Sequence, residues 1–395
     1  MRGLVSSILV LFLGALVLPG CPDSKPATEE KPVAEAPEKE VTPEMKEALG
    51  GAPTASAATS GKSDPLCVGP VDLAPLENRK VGAFDAKIEG YKVTFTAAEG
   101  DDQLVVGVIG DVKEDTGENL FNVERLVKWF QEQKVEAVMM TGDTAETEAG
   151  IVRVLERLAA PGWPVFAIVG NREAKTIFAD GVTAAQAKHP NIFSLNKRRQ
   201  VSFPEATFFS VPGYHDARFI HAEDGCLYHT EDLAAIEKLA SETEGNRVLV
   251  SHGPPRGTTK TAIDVATDAG NVGDANLNGL IEKGKIAFGL FGNIHEAGGQ
   301  ATNLAGAEKI AEKSFVKSLY LNVGPADAIR WMMNDGSEST GMAGVVTFKK
   351  DGTAAYQMKR LAPLTEAEAA EAAKLDPAPE EEAPAEEGAA EEAAE

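Results

Sequence analysis

Five apolar runs in this sequence end in the same way. QLVVGVIG is followed by Asp111-Val112-Lys113, VEAVMMTG by Asp143, and PVFAIVG by Asn171-Arg172-Glu173. NRVLVS is followed by His252-Gly253-Pro254, and KIAFGLFG by Asn293-Ile294-His295. Each run is short and apolar, as a strand buried on both faces requires. Between them lie amphipathic stretches such as GENLFNVERLVKWFQEQ, which sets Leu120, Val123, Leu126, Val127 and Phe130 on one helical face. Strands alternating with helices predict a layered α/β domain built on a buried sheet. In open α/β sheets, functional groups collect beyond the carboxyl ends of the strands. One Asp or Asn after a glycine is ordinary turn chemistry. Five oxygen- or imidazole-bearing strand ends in series are hard to explain as turns, and they define a candidate site.

The rest of the central region fits this scheme. Residues 147–158, EDLAAIEKLASE and ANLNGLIEKG read as helices, and FVKSLYLNVG reads as a further strand. GVVTFKKDGTAAYQMKRL reads as a hairpin turning at Asp351-Gly352. AFDAKIEGYKVTFTA reads as an extra hairpin ahead of the first core strand, and the segment after Glu173 is less regular. Thr365 and Glu368 have capping-box spacing and open a short helix to Lys374. The expected organisation is an N-terminal extension over 65–102, a main domain over 103–362, and a short helix with an acidic tail over 363–395.

The ends of the chain carry different signals. Residues 1–20 hold Arg2 and an apolar run ending in Leu18-Pro19-Gly20, with Cys21 directly after. This resembles a bacterial lipoprotein signal, with Cys21 as the lipidated residue; an ordinary secretory signal cut nearby is the alternative. Residues 21–64 are rich in Pro, Ala, Glu, Lys, Thr and Ser, and read as a disordered tether. The expected location is the cell envelope, lipid-anchored and facing the periplasm or the outer surface. In an oxidising compartment the two remaining cysteines, Cys67 and Cys226, suggest one disulfide; two buried free thiols are the alternative. The net charge is −23, and the final stretch LDPAPEEEAPAEEGAAEEAAE contributes heavily to it without a single basic residue. Such a run stays solvated. Neither the charge nor its distribution suits nucleic-acid binding, which needs a basic face.

The order of the strand-end residues resembles the calcineurin-like metallophosphoesterase family. SHGPPRGTTKT, NVGDANLNGLIEKGKIAFGLFGNIHEAGG and LYLNVGPAD are similar to its phosphodiesterase branch, and the likeness covers about 104–361. The resemblance implies a four-layer α/β/β/α sandwich with a two-metal centre, in which paired divalent ions clamp an attacking hydroxide and a phosphoryl group. It implies that Asp111 and His295 ligate the first metal, that Asp143 bridges, and that Asn171 and His252 ligate the second.

Three positions depart from the family pattern. Lys113 stands where the family has a first-metal His. Neutralising a lysine at pH 7 costs about 4–5 kcal/mol, and neighbouring carboxylates raise that cost. The expectation is that the ammonium itself takes the first metal's place. Arg172 stands where the family has the His that assists the leaving group. A guanidinium cannot cycle a proton, but it can bind a phosphate or carboxylate. Asn293 replaces a second-metal His and suits a hard cation. The cofactor expected is a divalent metal (Mn, Mg, Fe or Zn), with one ion or none bound. His215, His221 and His229 are candidate substitute ligands, and surface or turn roles are the alternative. The tract Asn196 to Arg199 reads as a solvated basic turn, with contact to an anionic surface as the alternative.

Three functions follow as expectations. The first is a membrane-tethered protein of this fold with hydrolysis weak or lost, binding an anionic ligand or a partner through Lys113 and Arg172. The second is an active metal-dependent phosphodiesterase or phosphatase with a single or unusual metal centre. The third is an envelope interaction protein whose tails do the work.

Overall fold

The computed structural model describes residues 57–97 and 102–377. The signal-like segment 1–20, Cys21, the tether up to residue 56 and the acidic tail beyond 377 lie outside the described residues. Among the described residues, no helix is long and apolar enough to cross a membrane.

The chain begins with a meander of β1 (Glu77–Val81), β2 (Phe84–Glu89) and β3 (Lys92–Ala97). Parallel strand–helix units follow: β4 (Gln103–Ile109), α1 (Gly117–Glu132), β5 (Ala137–Met140), α2 (Glu148–Ala159), β6 (Val165–Ala167), α3 (Lys175–Lys188) and β7 (Ile192–Ser194). Next come β8 (Gln200–Ser202), β9 (Thr207–Val211), α4 (Thr230–Ser241), β10 (Arg247–Ser251), the small ribbon β11 (Val265–Ala266) and β12 (Gly270–Asn271), α5 (Ala275–Lys283) and β13 (Phe288–Phe291). The chain closes with β14 (Gln300–Thr302), β15 (Lys309–Ile310), β16 (Leu319–Asn322), the ribbon β17 (Trp331–Met332) and β18 (Glu338–Ser339), the hairpin β19 (Met342–Lys349) and β20 (Ala354–Arg360), and α6 (Glu366–Ala372).

Two sheets result. One has six strands in the order β20-β19-β4-β5-β6-β7, and the other has ten in the order β1-β2-β3-β8-β9-β10-β13-β16-β14-β15. The layering follows from side-chain alternation along the strands. Val106, Val108, Met139 and Phe166 of the first sheet pack with Phe208, Val248, Val250, Phe288 and Leu290 of the second. The intervening residues Val138, Met140 and Val165 face the opposite way, into an apolar layer with Leu120, Val123, Ile151, Val154 and Phe178 of α1, α2 and α3. On the second sheet, Phe209 and Leu249 belong with Leu233, Ile236, Leu277 and Leu280 of α4 and α5. The fold is therefore a four-layer α/β/β/α sandwich, as expected.

Sequence and structure differ at three places. The extra hairpin forms as β2 and β3, but β1 extends it to a three-stranded meander that joins the ten-stranded sheet through parallel pairing of β3 with β8. It supplies Phe84 and Phe95 to an aromatic cluster with Phe166, Phe193 and Phe203 at the centre of the sandwich. The ordered chain starts before residue 65: Ala58 is buried, and Ser63 Oγ donates to Leu227 O at 2.9 Å. The less regular middle hides α3. Its apolar signal is weak because only Phe178, Gly181, Val182 and Ala185 are buried and two of these are small, with Gly181 lying against Ile151 of α2.

The basic tract is a turn, as expected, but only partly solvated: Lys197 is exposed, whereas Asn196 and Arg199 are buried. Arg199 is buried, and its guanidinium donates to Ser210 O and to Gly69 O at 2.9 Å. Burial lowers its pKa to about 10. Asn196 is likewise buried, accepting from Val169 N at 3.1 Å and donating to Leu66 O at 3.0 Å.

Because Phe95 is 1% exposed and touches four other rings, Phe95→Ala is expected to cost about 3–5 kcal/mol. Urea unfolding of the folded domain measures it.

Candidate metal centre

The ends of β4, β5, β6, β10 and β13 deliver their polar residues to one edge of the sandwich. The loops there cross-brace one another. Asp111 N donates to Gly142 O at 3.0 Å, Lys113 N to Asp143 O at 2.8 Å, and Gly292 N to His252 O at 2.9 Å. The bracing holds unusual backbone. Asp111, Lys113, Asp143 and Asn293 all have positive φ, at 53°, 68°, 53° and 65°. Each such non-glycine residue costs about 1–3 kcal/mol, so the surrounding structure must over-determine it. Glycine is required where the loops close in. A Cβ on Gly170 would lie 2.1 Å from Asp143 Oδ1, and one on Gly142 (φ 106°) would lie 2.5 Å from His252 Nδ1.

Asp143, Asn171 and His252 converge. Asn171 Nδ2 donates to Phe219 O at 2.8 Å, which turns Oδ1 towards His252 Nε2 at 3.1 Å. His252 Nδ1 lies 2.9 Å from Thr141 O, a carbonyl that can only accept, so the ring donates its proton there. Nε2 of the neutral ring is then a lone pair, and it faces Asp143 Oδ1 at 3.3 Å as well as the Asn171 oxygen. Asp143 Oδ1 also accepts from Asn171 N at 3.0 Å and Arg172 N at 3.1 Å, and with His252 neutral the three side chains present oxygen and nitrogen lone pairs that suit a cation. Asp111, Asp143 and His252 can each place a ligand atom within 4.8 Å of the others, and all three are buried. Burial lowers the proton affinity of His252, but Asp143, Asp111 and Glu173 outweigh it and leave its pKa raised.

Glu173 locks the loop beneath. It is fully buried and accepts from Thr144 N at 2.5 Å and Gly170 N at 2.9 Å. Burial, reinforced by Asp143, raises its pKa to about 8. Asn293 N donates to both carboxylate oxygens of Asp111, at 3.2 and 3.1 Å. The Asn293 side chain hydrogen-bonds Tyr214, whose ring centroid is 6.2 Å from that of His252.

The first-metal position is built differently. Asp111 and His295 are neighbours, with His295 Nε2 3.4 Å from Asp111 Oδ1. Burial would raise the Asp111 pKa, but His295, His252 and Lys113 outweigh it and hold it lowered. The Lys113 ammonium does not bond to Asp111. It donates to Asp327 Oδ2 at 2.5 Å and lies 4.4 Å from the centroid of the Trp331 ring. Trp331 Nε1 donates to the other Asp327 oxygen at 2.9 Å. Lys113 and Asp327 are both buried. These residues do not suit a dication: the Lys113 ammonium offers no lone pair, and Asp327 is already paired to it.

Arg172 is also paired. Its Nε donates to Glu146 Oε1 at 2.7 Å, and its Nη2 donates to the same oxygen. Lys113 and Arg172 share a cleft of about 590 Å³ with His295, Asp327, Trp331 and Ile329. Glu114, Glu118 and Asp376 line the same cleft, so it is not a basic pocket.

The three candidate substitute ligands lie elsewhere. His215 is buried beside Tyr214 and Tyr228, His229 Nδ1 is 3.3 Å from Thr59 O, and His221 N donates to Asn171 O at 2.8 Å. None joins the cation cluster identified among the described residues. Sequence reasoning missed Asp327 and Trp331. The available signal was LNVGPAD, a sixth strand end that carries an acid just beyond β16.

No protein-family model matches the chain, and no curated protein matches it in sequence. Solved structures do match. A dimetal phosphatase from Danio rerio is 11% identical, covering 66% of this chain and 100% of its own, with a TM-score of 0.42. A purple acid phosphatase from yellow lupin (Lupinus luteus) seeds is 12% identical, covering 70% of this chain and 56% of its own, at 0.46. A phosphopantetheinyl hydrolase from Mycobacterium tuberculosis is 13% identical, covering 57% of this chain and 90% of its own, at 0.39.

Removing one partner of a buried ion pair leaves an uncompensated charge. Asp327→Asn is therefore expected to destabilise the domain by about 3–5 kcal/mol, and Lys113→Met in the same chain to recover most of that loss. Urea denaturation of the single and double variants checks both.

Proposed function

We propose that this chain is a lipid-anchored envelope protein of the calcineurin-like metallophosphoesterase family that holds one divalent cation and has weak or lost hydrolysis. The observation that carries the reading is the buried Lys113–Asp327 pair at the first-metal position. Asp143, Asn171 and His252 would hold the ion, with Asp111 within reach of it. A set of one carboxylate, one amide oxygen and one imidazole favours a hard ion such as Mg²⁺ or Mn²⁺ over Zn²⁺. When bound, such an ion supplies Lewis-acid polarisation of a phosphoryl oxygen.

The other residues support binding better than turnover. Arg172 carries a permanent charge and moves no proton. Its guanidinium, held by Glu146 at the rim, would take a phosphate ester or another anion by exchanging that carboxylate for the ligand's oxygens. The His295 ring lies against Trp331 with centroids 4.3 Å apart. The convergent acceptors at His252 favour a second reading, in which one ion is enough for slow phosphodiester hydrolysis. Anchoring rests on the sequence around Cys21.

Metal analysis by mass spectrometry on the dialysed protein is expected to find one Mn²⁺ per chain after Mn²⁺ loading, and two in a Lys113→His, Arg172→His, Asn293→His variant. Only that variant is expected to hydrolyse a generic phosphodiester. Chelator-sensitive hydrolysis by the unmodified protein would establish the second reading instead, and two ions in the unmodified protein would refute the single-ion centre. For the anchor, Cys21→Ser should move the protein from the membrane to the soluble fraction; continued sedimentation with membranes would contradict lipid attachment at that residue.

A further inference from the structure

The ligand Asn171 is not oriented by its own strand end alone. Its side-chain amide donates to Phe219 O at 2.8 Å, and its backbone carbonyl accepts from His221 N at 2.8 Å. Both partners lie on the irregular segment 212–228, between β9 and α4. That segment runs across the β6 end: Gly213 N donates to Val169 O at 3.1 Å, and Ala174 bridges to Gly225. Phe219 itself is 45% exposed, so little packing on its side chain fixes the carbonyl that Asn171 needs.

The segment has braces of its own, the Asp216 cap on the turn 217–219 and the pairing of Tyr214 with Leu227 and Tyr228, and its far end adds a covalent one. Cys226 is bonded to Cys67, with the Cα atoms 5.2 Å apart, across a sequence separation of 159 residues. Cys67 belongs to the strap 57–72, which is itself pinned to the sandwich. Gly69 N donates to Asn196 O at 2.8 Å, Asn196 Nδ2 to Leu66 O at 3.0 Å, and the buried Arg199 to Gly69 O at 2.9 Å. Tyr214 N donates to Cys226 O at 2.8 Å, carrying the constraint back to the start of the segment. An anchored strap, one covalent bond, one loop and one amide thus connect in series.

We infer that the Cys67–Cys226 disulfide is a positioning element for the cation site, which holds Asn171 Oδ1 towards His252 and Asp143 through Phe219 O, so that thiol reduction lowers cation affinity while the sandwich stays folded. The inference rests on the single-ion reading above. The link closes a loop that contains β1 to β9, but both sheets are held by their own pairing and buried cores, whereas 212–228 is tied to 169–175 by a few backbone hydrogen bonds, so the loosening is expected there. Reduction breaks one S–S bond, forms two thiols and oxidises one dithiothreitol to its cyclic disulfide.

The test is Mn²⁺ titration, by calorimetry or by electron paramagnetic resonance of free Mn²⁺, on the exported chain without its lipid. It compares the oxidised protein, the same protein in dithiothreitol, and a Cys67→Ser, Cys226→Ser double variant. Groups that orient a metal ligand typically change affinity by about 10–100-fold, and a weakening in that range is expected in both thiol-free and reduced forms. Hydrogen exchange without metal should accelerate across 169–173 and 212–228, with β4, β5 and β10 unchanged. Mn²⁺ affinity that is the same in all three forms overturns this inference and leaves the single-ion reading intact. Absence of Mn²⁺ binding by the oxidised protein overturns both. Loss of near-ultraviolet dichroism on reduction overturns the inference too, because the link would then be a general staple.

Discussion

The Lys113–Asp327 pair sets the electrostatics of the whole edge. An ammonium buried without a counter-charge is too costly to persist, and Asp327 is the carboxylate that bonds it. Two opposite charges about 4 Å apart attract by roughly 4 kcal/mol at an effective dielectric of 20, so closer contact holds the amine firmly. Trp331 adds a ring face to the same ammonium and a hydrogen bond to the same carboxylate. With the ammonium committed to Asp327, Asp111 is satisfied by the Asn293 N–H and faces His295. Where the sequence places a free ammonium beside Asp111 and Asp143, the structure places a neutral pair one step aside. The charge facing the second site is then set by Asp143, Asp111 and Glu173.

Much of this was readable from the chain. Runs such as VEAVMMTG are apolar on both faces because the sandwich covers both faces, and their lengths match buried strands. The residues after them are ligand types because strand ends are where the backbone presents side chains to an open edge. The Asp351-Gly352 turn and the Thr365 cap were legible for a local reason: each depends on residues within a few positions of it.

What escaped the sequence was non-local. Asp327 lies 214 residues from Lys113, and although its strand-end position marks it as a site residue, nothing local names Lys113 as its partner. Arg199 looks like a surface charge beside Lys197 and Arg198, yet two backbone carbonyls from distant segments make it a core residue. Helix α3 escaped because its buried face is short, and at Gly181 and Ala185 close approach replaces the large apolar side chains that usually announce a helix. The meander escaped because alternating hydrophobicity gives the number of strands poorly and their partner not at all.

The pairing of β4 with β19 has a further consequence. β4 is the first strand of the six-stranded sheet, and its antiparallel neighbour is among the last elements of the domain. Contacts so far apart in sequence slow folding, since a long loop must close before the pairing repays it. A ribosome must therefore release nearly the entire domain before the central sheet can be completed. Until then β4 presents an unpaired, apolar edge, the kind of surface that holding chaperones shield from other chains.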